Sequence, residues 1–153
     1  MQEHPREVRG EYRNPSVGFA VFVPAGLYGI VGDAAGPERS ILIPLGEASR
    51  IVIYGEPNSQ DWASEKEGIL WVAALEKNGA ACVKIGSGKL GSLPAARILV
   101  REVDRVEELL LAFRPGKKSP IYWARLESDK RRYLRDRREF RRIVESFKII
   151  FWE

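Results

Sequence analysis

Histidine and cysteine are almost missing from this chain: His4 and Cys82 are the only ones in 153 residues. A lone cysteine excludes an internal disulfide and a thiolate metal cluster. In the run "AACVKI" Cys82 is expected as a small buried apolar residue. A lone histidine near the start, where chain ends are commonly mobile, argues against a Ser-His-Asp or Cys-His pair and against an imidazole metal site.

Long apolar runs are missing too. No stretch approaches the ~20 residues that span a bilayer, so no transmembrane segment is expected. The opening "MQEHPREVRG" has no basic region followed by an apolar one. Met1 before Gln2 fits a processed, exported chain given a new initiator as well as an unprocessed one, which leaves extracytoplasmic and cytoplasmic locations both open.

What is present suits one globular domain. Apolar residues make up 44% of the chain and charged ones 30%, with a net charge of +4, enough for one core and little for a second. A polyanion partner is permitted by that charge without being required.

The patterning alternates between strand and helix. "SVGFAVFVP" reads as a strand stopped by Pro24. "AGLYGIVGDAAGPE" has too many glycines for a helix and reads as a long surface loop suited to binding. "RSILIPL" and "RIVIYG" predict a hairpin. A helix is expected from Trp62 to Asn78, with Asp61 as N-cap and Gly79 just past its end. "ACVKIGS", "AARILVREV" and "VEELLLAFR" have strand character, the third open to a helical reading, and "SPIYWARLE" returns to strand. In "DRREFRRIVESF", Asp136 and Glu139 have the spacing of a capping box, and Phe140, Ile143, Val144 and Phe147 form one apolar stripe. "FKIIF" behind it reads as a last buried segment.

This element order is α+β. The segments "YRNPSVGFAVFVPAG", the "DW" of the central helix, the hairpin into "LPAARILV", and "EFRRIVESF" resemble the PsbP-like families, which include PsbP, Mog and DcrB-related bacterial proteins. The resemblance covers nearly the whole chain. It implies a central antiparallel sheet with helices packed on both faces, an αβα sandwich, built by residues 12–153 behind a flexible lead-in at 1–11. A shared fold does not carry a shared activity.

Gly86, Gly88 and Gly91 spell GxGxxG, but a phosphate cradle needs a helix opening directly behind the glycines, and Pro94 and "ARILV" follow instead. Lys89 is followed by Leu90, which excludes a Walker loop. A hairpin loop using positive φ is the simpler reading. Asp61, Glu65 and Glu67 suit a helix start, and Glu102, Asp104, Glu107 and Glu108 a turn. Tyr28, Trp62, Trp71, Tyr122 and Trp123 are expected mostly in the core.

The expected function is therefore a non-catalytic protein-binding or scaffold domain, bacterial, with no cofactor or metal. It would engage a protein partner through a sheet edge or through Leu27, Tyr28 and Ile30 in the Gly-rich loop. The alternative is nucleic-acid or anionic-surface binding through Lys130, Arg131, Arg132, Arg135, Arg138, Arg141 and Arg142, with aromatic residues interleaved. Arg137 shares that basic arc, which Asp136, Glu139 and Glu145 dilute, so a solvated outer face competes with it. A third reading is an apolar ligand in a cleft beside Trp62 and Tyr122.

Overall fold

The computed structural model describes residues 5–32, 40–77 and 82–150. Its elements in chain order are β1 (Arg6–Val8), β2 (Gly10–Asn14), β3 (Phe19–Val23), β4 (Gly29–Val31), β5 (Ile41–Pro44), β6 (Arg50–Glu56), α1 (Glu65–Glu76), β7 (Cys82–Leu90), β8 (Leu93–Arg101), β9 (Arg105–Phe113), β10 (Ile121–Asp129), α2 (Tyr133–Glu145) and β11 (Lys148–Ile149). Among the described residues these form an eight-stranded antiparallel sheet, in the order β1-β4-β5-β6-β10-β9-β8-β7, and a three-stranded sheet, β11-β3-β2. The fold is a mostly antiparallel sheet with two helices.

Successive side chains on a strand point to opposite faces, and the core divides accordingly. On β10, Tyr122, Ala124 and Leu126 join Phe140, Ile143 and Val144 of α2 and Phe19, Val21 and Val23 of β3. Ile121 and Trp123 join Ile69 and Ala73 of α1, with Trp62, Ile98 and Leu111. The apolar stripe expected on the second helix is buried, Phe147 included. Phe147 stacks on Phe19 with ring centroids 5.4 Å apart and meets Tyr122 edge-on, also at 5.4 Å. Lys148 and Ile149 then pair with β3, which brings the C-terminal segment back onto the small sheet.

The first helix begins later than its periodicity suggests. Asp61 has φ +53°, so it lies outside the helix and is not its cap. Ser64 is the N-cap: its Oγ accepts the Glu67 N–H at 3.2 Å, while Glu67 accepts the Ala63 N–H at 2.6 Å. This is capping-box chemistry carried by Ser-x-x-Glu. Trp62 sits in the preceding turn, where Asn58 accepts its N–H at 3.0 Å and donates to its carbonyl at 2.8 Å. Gly68 lets the helix approach the sheet, since a Cβ there would stand 2.5 Å from Leu111 Cδ2 and 2.6 Å from Trp62 Cε3. The expected end at Asn78 and Gly79 lies outside the described residues.

The capping box expected at Asp136 and Glu139 is also overturned. The second helix is entered through a 3-10 turn at Lys130–Arg132, where Asp129 accepts the Arg131 N–H at 2.8 Å. Asp136 lies inside α2, only 2% exposed, and accepts the Ser128 hydroxyl proton at 2.8 Å.

Further details differ from the expectations. "VEELLLAFR" is strand, so Glu107 and Glu108 lie in β9 and not in a turn; Glu102 and Asp104 do sit between β8 and β9. Cys82 opens β7 half-buried. Within the glycine-rich excursion Gly29–Val31 is a strand paired with β1 and β5, and 33–39 lie outside the described residues. Strand pairing also begins inside the segment expected as a lead-in, with Arg6–Val8 and Gly10–Asn14.

Candidate functional site at the β7 edge

The glycine motif and the arginine-rich helix, distant in sequence, meet at one end of the large sheet. Gly86 and Gly88 belong to strand β7 and not to a loop; of the three motif glycines only Gly91, φ +62°, makes the turn to β8. The turn docks on the helix: Gly91 donates its N–H at 2.9 Å to the Val144 carbonyl in the last turn of α2, which also accepts the Phe147 N–H at 3.1 Å. A side chain at position 91 would strike the Phe147 carbonyl.

The two-residue turn fixes the register, with Leu90 opposite Leu93, Gly88 opposite Ala95 and Gly86 opposite Arg97. Opposite residues share a face, so Gly86 and Gly88 leave an unfilled strip beside Arg97 on the face that α2 packs against. A Cβ on Gly86 would meet nothing within 4 Å, and one on Gly88 only the tips of Leu110 and Arg97. Paired glycines on one strand face mark places where another group comes close. Beside Gly88 lies a groove of about 420 Å³.

Arg97, Arg137 and Arg141 line it, together with Glu108 and Glu145, while Leu110, Phe140 and Val144 form an apolar wall; Lys89 borders it at the strand edge, with its side chain on the face opposite to that of Gly88 and Leu90. Three cations against two carboxylates leave a net excess of one positive charge. Glu108 organises the inner end: it accepts from Arg97 Nε at 2.8 Å and Tyr133 O–H at 2.8 Å, with Arg137 Nε 3.8 Å away. The Glu108 bond raises the Arg97 pKa. Burial, helped by the same carboxylate, pushes the Tyr133 phenol up to about 12. Arg137 Nε is buried without a hydrogen-bond acceptor. No ion pair of Lys89 or Arg141 occurs among the described residues.

The rest of the basic segment disperses. Arg132 donates to the Leu45 carbonyl at 3.2 Å, Arg142 pairs with Glu139 at 3.3 Å, and Arg131 reaches Asp129 at 3.7 Å. Lys130, Arg135 and Arg138 are exposed. Only Arg137 and Arg141 reach the groove. Sequence reading missed Arg97 and Glu108; the spacing of two between Gly86 and Gly88 was the available signal, since it places both on one strand face.

β7 itself is an edge. Among the described residues it pairs only with β8 along nine residues, and Lys84 to Ser87 are exposed. In a two-residue hairpin the residues flanking the turn exchange both hydrogen bonds. Leu90 therefore faces β8, and the backbone N–H and C=O of Lys89, Ser87 and Ile85 point outward.

The loop trio lies toward the opposite end of the sheet. Leu27 packs against the core, the Arg9 guanidinium sits 5.6 Å over the Tyr28 ring, and Ile30 is held in β4 opposite Glu7 and Leu42. Trp62 and Tyr122 belong to different core clusters, so no cleft joins them. Trp71 is half-exposed on α1. Among the described residues no His, Cys, Asp and Glu group is placed to hold a metal ion, and no helix is long and apolar enough to cross a membrane.

No protein-family model matches the chain, and no curated protein matches it in sequence. Solved structures do. The solution structure of cyanobacterial PsbP (CyanoP) from Synechocystis sp. PCC 6803 is similar with a TM-score of 0.57 at 13% identity, over 91% of both chains. A crystal structure from Bacteroides thetaiotaomicron VPI-5482 has the same TM-score of 0.57 at 12% identity; 94% of this chain matches 49% of that one, about half its length. At such identities the likeness is one of architecture, and the chain has a PsbP-like fold.

Proposed function

We propose that this chain is a non-catalytic binding domain whose protein partner adds an extended segment to the open edge of β7. The observation that carries the reading is the edge itself: nine residues of strand, paired on one side only, with outward backbone groups at Ile85, Ser87 and Lys89. Main-chain hydrogen bonds supply affinity in strand addition, and alternate side chains supply specificity. Gly86 and Gly88 remove side chains that would crowd an incoming strand on one face. Lys84 and Lys89 are the charges by which natural edges resist pairing with their own copies, and they favour an acidic segment. The other edge, β1, has three residues. The division of the core between α1 and α2 supports helices on both faces, an αβα sandwich with β7 at its rim.

A photo-cross-linking residue at Ile85, compared with one at Tyr28, tests this in native extract. The edge reading expects one defined protein cross-linked from position 85 and lost when Ser87→Pro removes an outward N–H. Cross-links from position 28 alone would move the interface to the Leu27, Tyr28 and Ile30 region. None from either would end the reading. Nucleic-acid binding through Lys130 to Arg142 draws less support, because Arg132, Arg137 and Arg142 are each turned toward partners within the domain.

A further inference from the structure

We propose that the groove between β7 and α2 is a binding site for a phosphate monoester carrying an apolar group. This does not depend on strand addition at the edge, and the two can fail separately. Three features converge. First, Gly88 lines the space without a side chain on the face that α2 packs against; an ordinary strand residue there would project into it. Second, its cations outnumber its carboxylates by one, and one of them, Arg141, has no ion pair among the described residues. Third, Leu110, Phe140 and Val144 supply an apolar wall beside them.

The division of labour follows from the contacts. Glu108 is already matched by Arg97 and Tyr133, which fixes the Arg97 guanidinium and leaves Arg141 to the ligand. Arg137 Nε is buried 3.8 Å from a Glu108 oxygen, which sets that guanidinium on the same carboxylate. Guanidinium groups match phosphate oxygens in pairs. A volume of about 420 Å³ admits a ring-sized group and its phosphate, not a polymer. Glu145 is the one carboxylate of the lining not held by Glu108's partners, and it sets a limit on how much charge the site accepts.

The same chemistry reaches the groove from a free metabolite or from a lipid headgroup, so the test has two arms. Phenyl phosphate is titrated into the full chain by calorimetry and by amide chemical shifts, and vesicles with and without phosphatidic acid are tested by co-sedimentation. The site expects saturable phenyl phosphate binding, with the largest shifts at Gly88, Lys89 and Arg141. Arg141→Gln should weaken it about tenfold, the equivalent of ~1.4 kcal/mol. Gly88→Val, which fills the groove with no change of charge and displaces only the tip of Leu110, should abolish it. Arg138→Gln, outside the groove, should leave it unchanged. Thermal melts establish that each variant is folded, and Arg141 is exposed, so its variant is expected to fold even if Gly88→Val does not. Vesicle binding that needs phosphatidic acid and is lost in Arg141→Gln assigns the site to a headgroup; phenyl phosphate binding without it assigns a free ligand. No saturation by phenyl phosphate together with no phosphatidic acid dependence overturns the proposal. So does binding that survives Gly88→Val or that falls equally with Arg138→Gln, since that is a diffuse surface charge effect.

Discussion

Gly91 and Val144 are joined by a 2.9 Å hydrogen bond that ties the β7–β8 turn to the last turn of α2. That single tie holds the rim of the groove closed at one end. Gly91 has φ +62°, and a Cβ there would run into the Phe147 carbonyl, which is backbone and cannot swing away. Gly91→Ala is therefore expected to destabilise the fold by about 1–3 kcal/mol, more than the strain of a left-handed alanine alone. Urea denaturation checks it; an unchanged midpoint would mean that the turn is not docked.

Gly68 sets two effects against each other. In an exposed helix, alanine is favoured over glycine by about 1 kcal/mol. Here the added methyl would press on Leu111 and Trp62, and overpacking a core costs about 1–3 kcal/mol. The packing term is expected to win, so Gly68→Ala should lower the melting temperature although it improves the helix.

Ser128 and Asp136 form a buried pair at 2.8 Å. Ser128→Ala removes the donor and leaves a carboxylate that is 2% exposed with less compensation. A loss of about 1–3 kcal/mol is expected, the cost of an unsatisfied buried polar group. The double variant Ser128→Ala with Asp136→Leu should recover part of it, and chemical denaturation of both variants reads the difference.

The two phenols pushed up to about 12 are Tyr54 and Tyr133. Burial is the main cause in each, with Glu56 adding to Tyr54 and Glu108 to Tyr133. A raised phenol pKa means that the folded state keeps its proton while the unfolded state loses it. Their contribution is thus complete below about pH 10 and is lost as pH rises toward about 12. Tyr133→Phe should flatten that alkaline decline. Tyrosinate absorbance should show Tyr133 titrating last with Tyr54, and Glu108→Gln should bring Tyr133 down.

Much of the fold was legible because apolar spacing and turn residues agree with it. The hairpin of β5 and β6, the strands of β3 and β10 and the buried stripe of α2 follow from that spacing alone. The helix starts were misread where several acids and serines compete. Asp61 and Asp136 both look like caps in sequence, but Asp61 takes a left-handed backbone and Asp136 is drawn inside to Ser128. Ser64 and Glu67 have the same capping-box spacing as Asp136 and Glu139, and only the former pair caps its helix. Cooperation between distant parts was not legible. The glycines of β7 match a nucleotide loop in local pattern only, and the arginines of α2 match a polyanion face. That Gly88, Gly91 and these arginines meet at one groove depends on the register of β7 against β8 and on the tie between Gly91 and Val144, which are facts of register and packing that no local pattern carries.

The alternation along β10 has one more consequence. Tyr122 and Ala124 belong to one core, Trp123 to the other, so a sheet one residue thick works as a partition between two separately tunable interiors. Substitutions such as Leu126→Ala and Ile69→Ala, lodged on opposite sides with no shared neighbours in the core, should sum in their effects on stability, whereas Leu126→Ala and Phe140→Ala, within one interior, should not. Evolution can thus remodel the interior that floors the groove while the other keeps the domain folded.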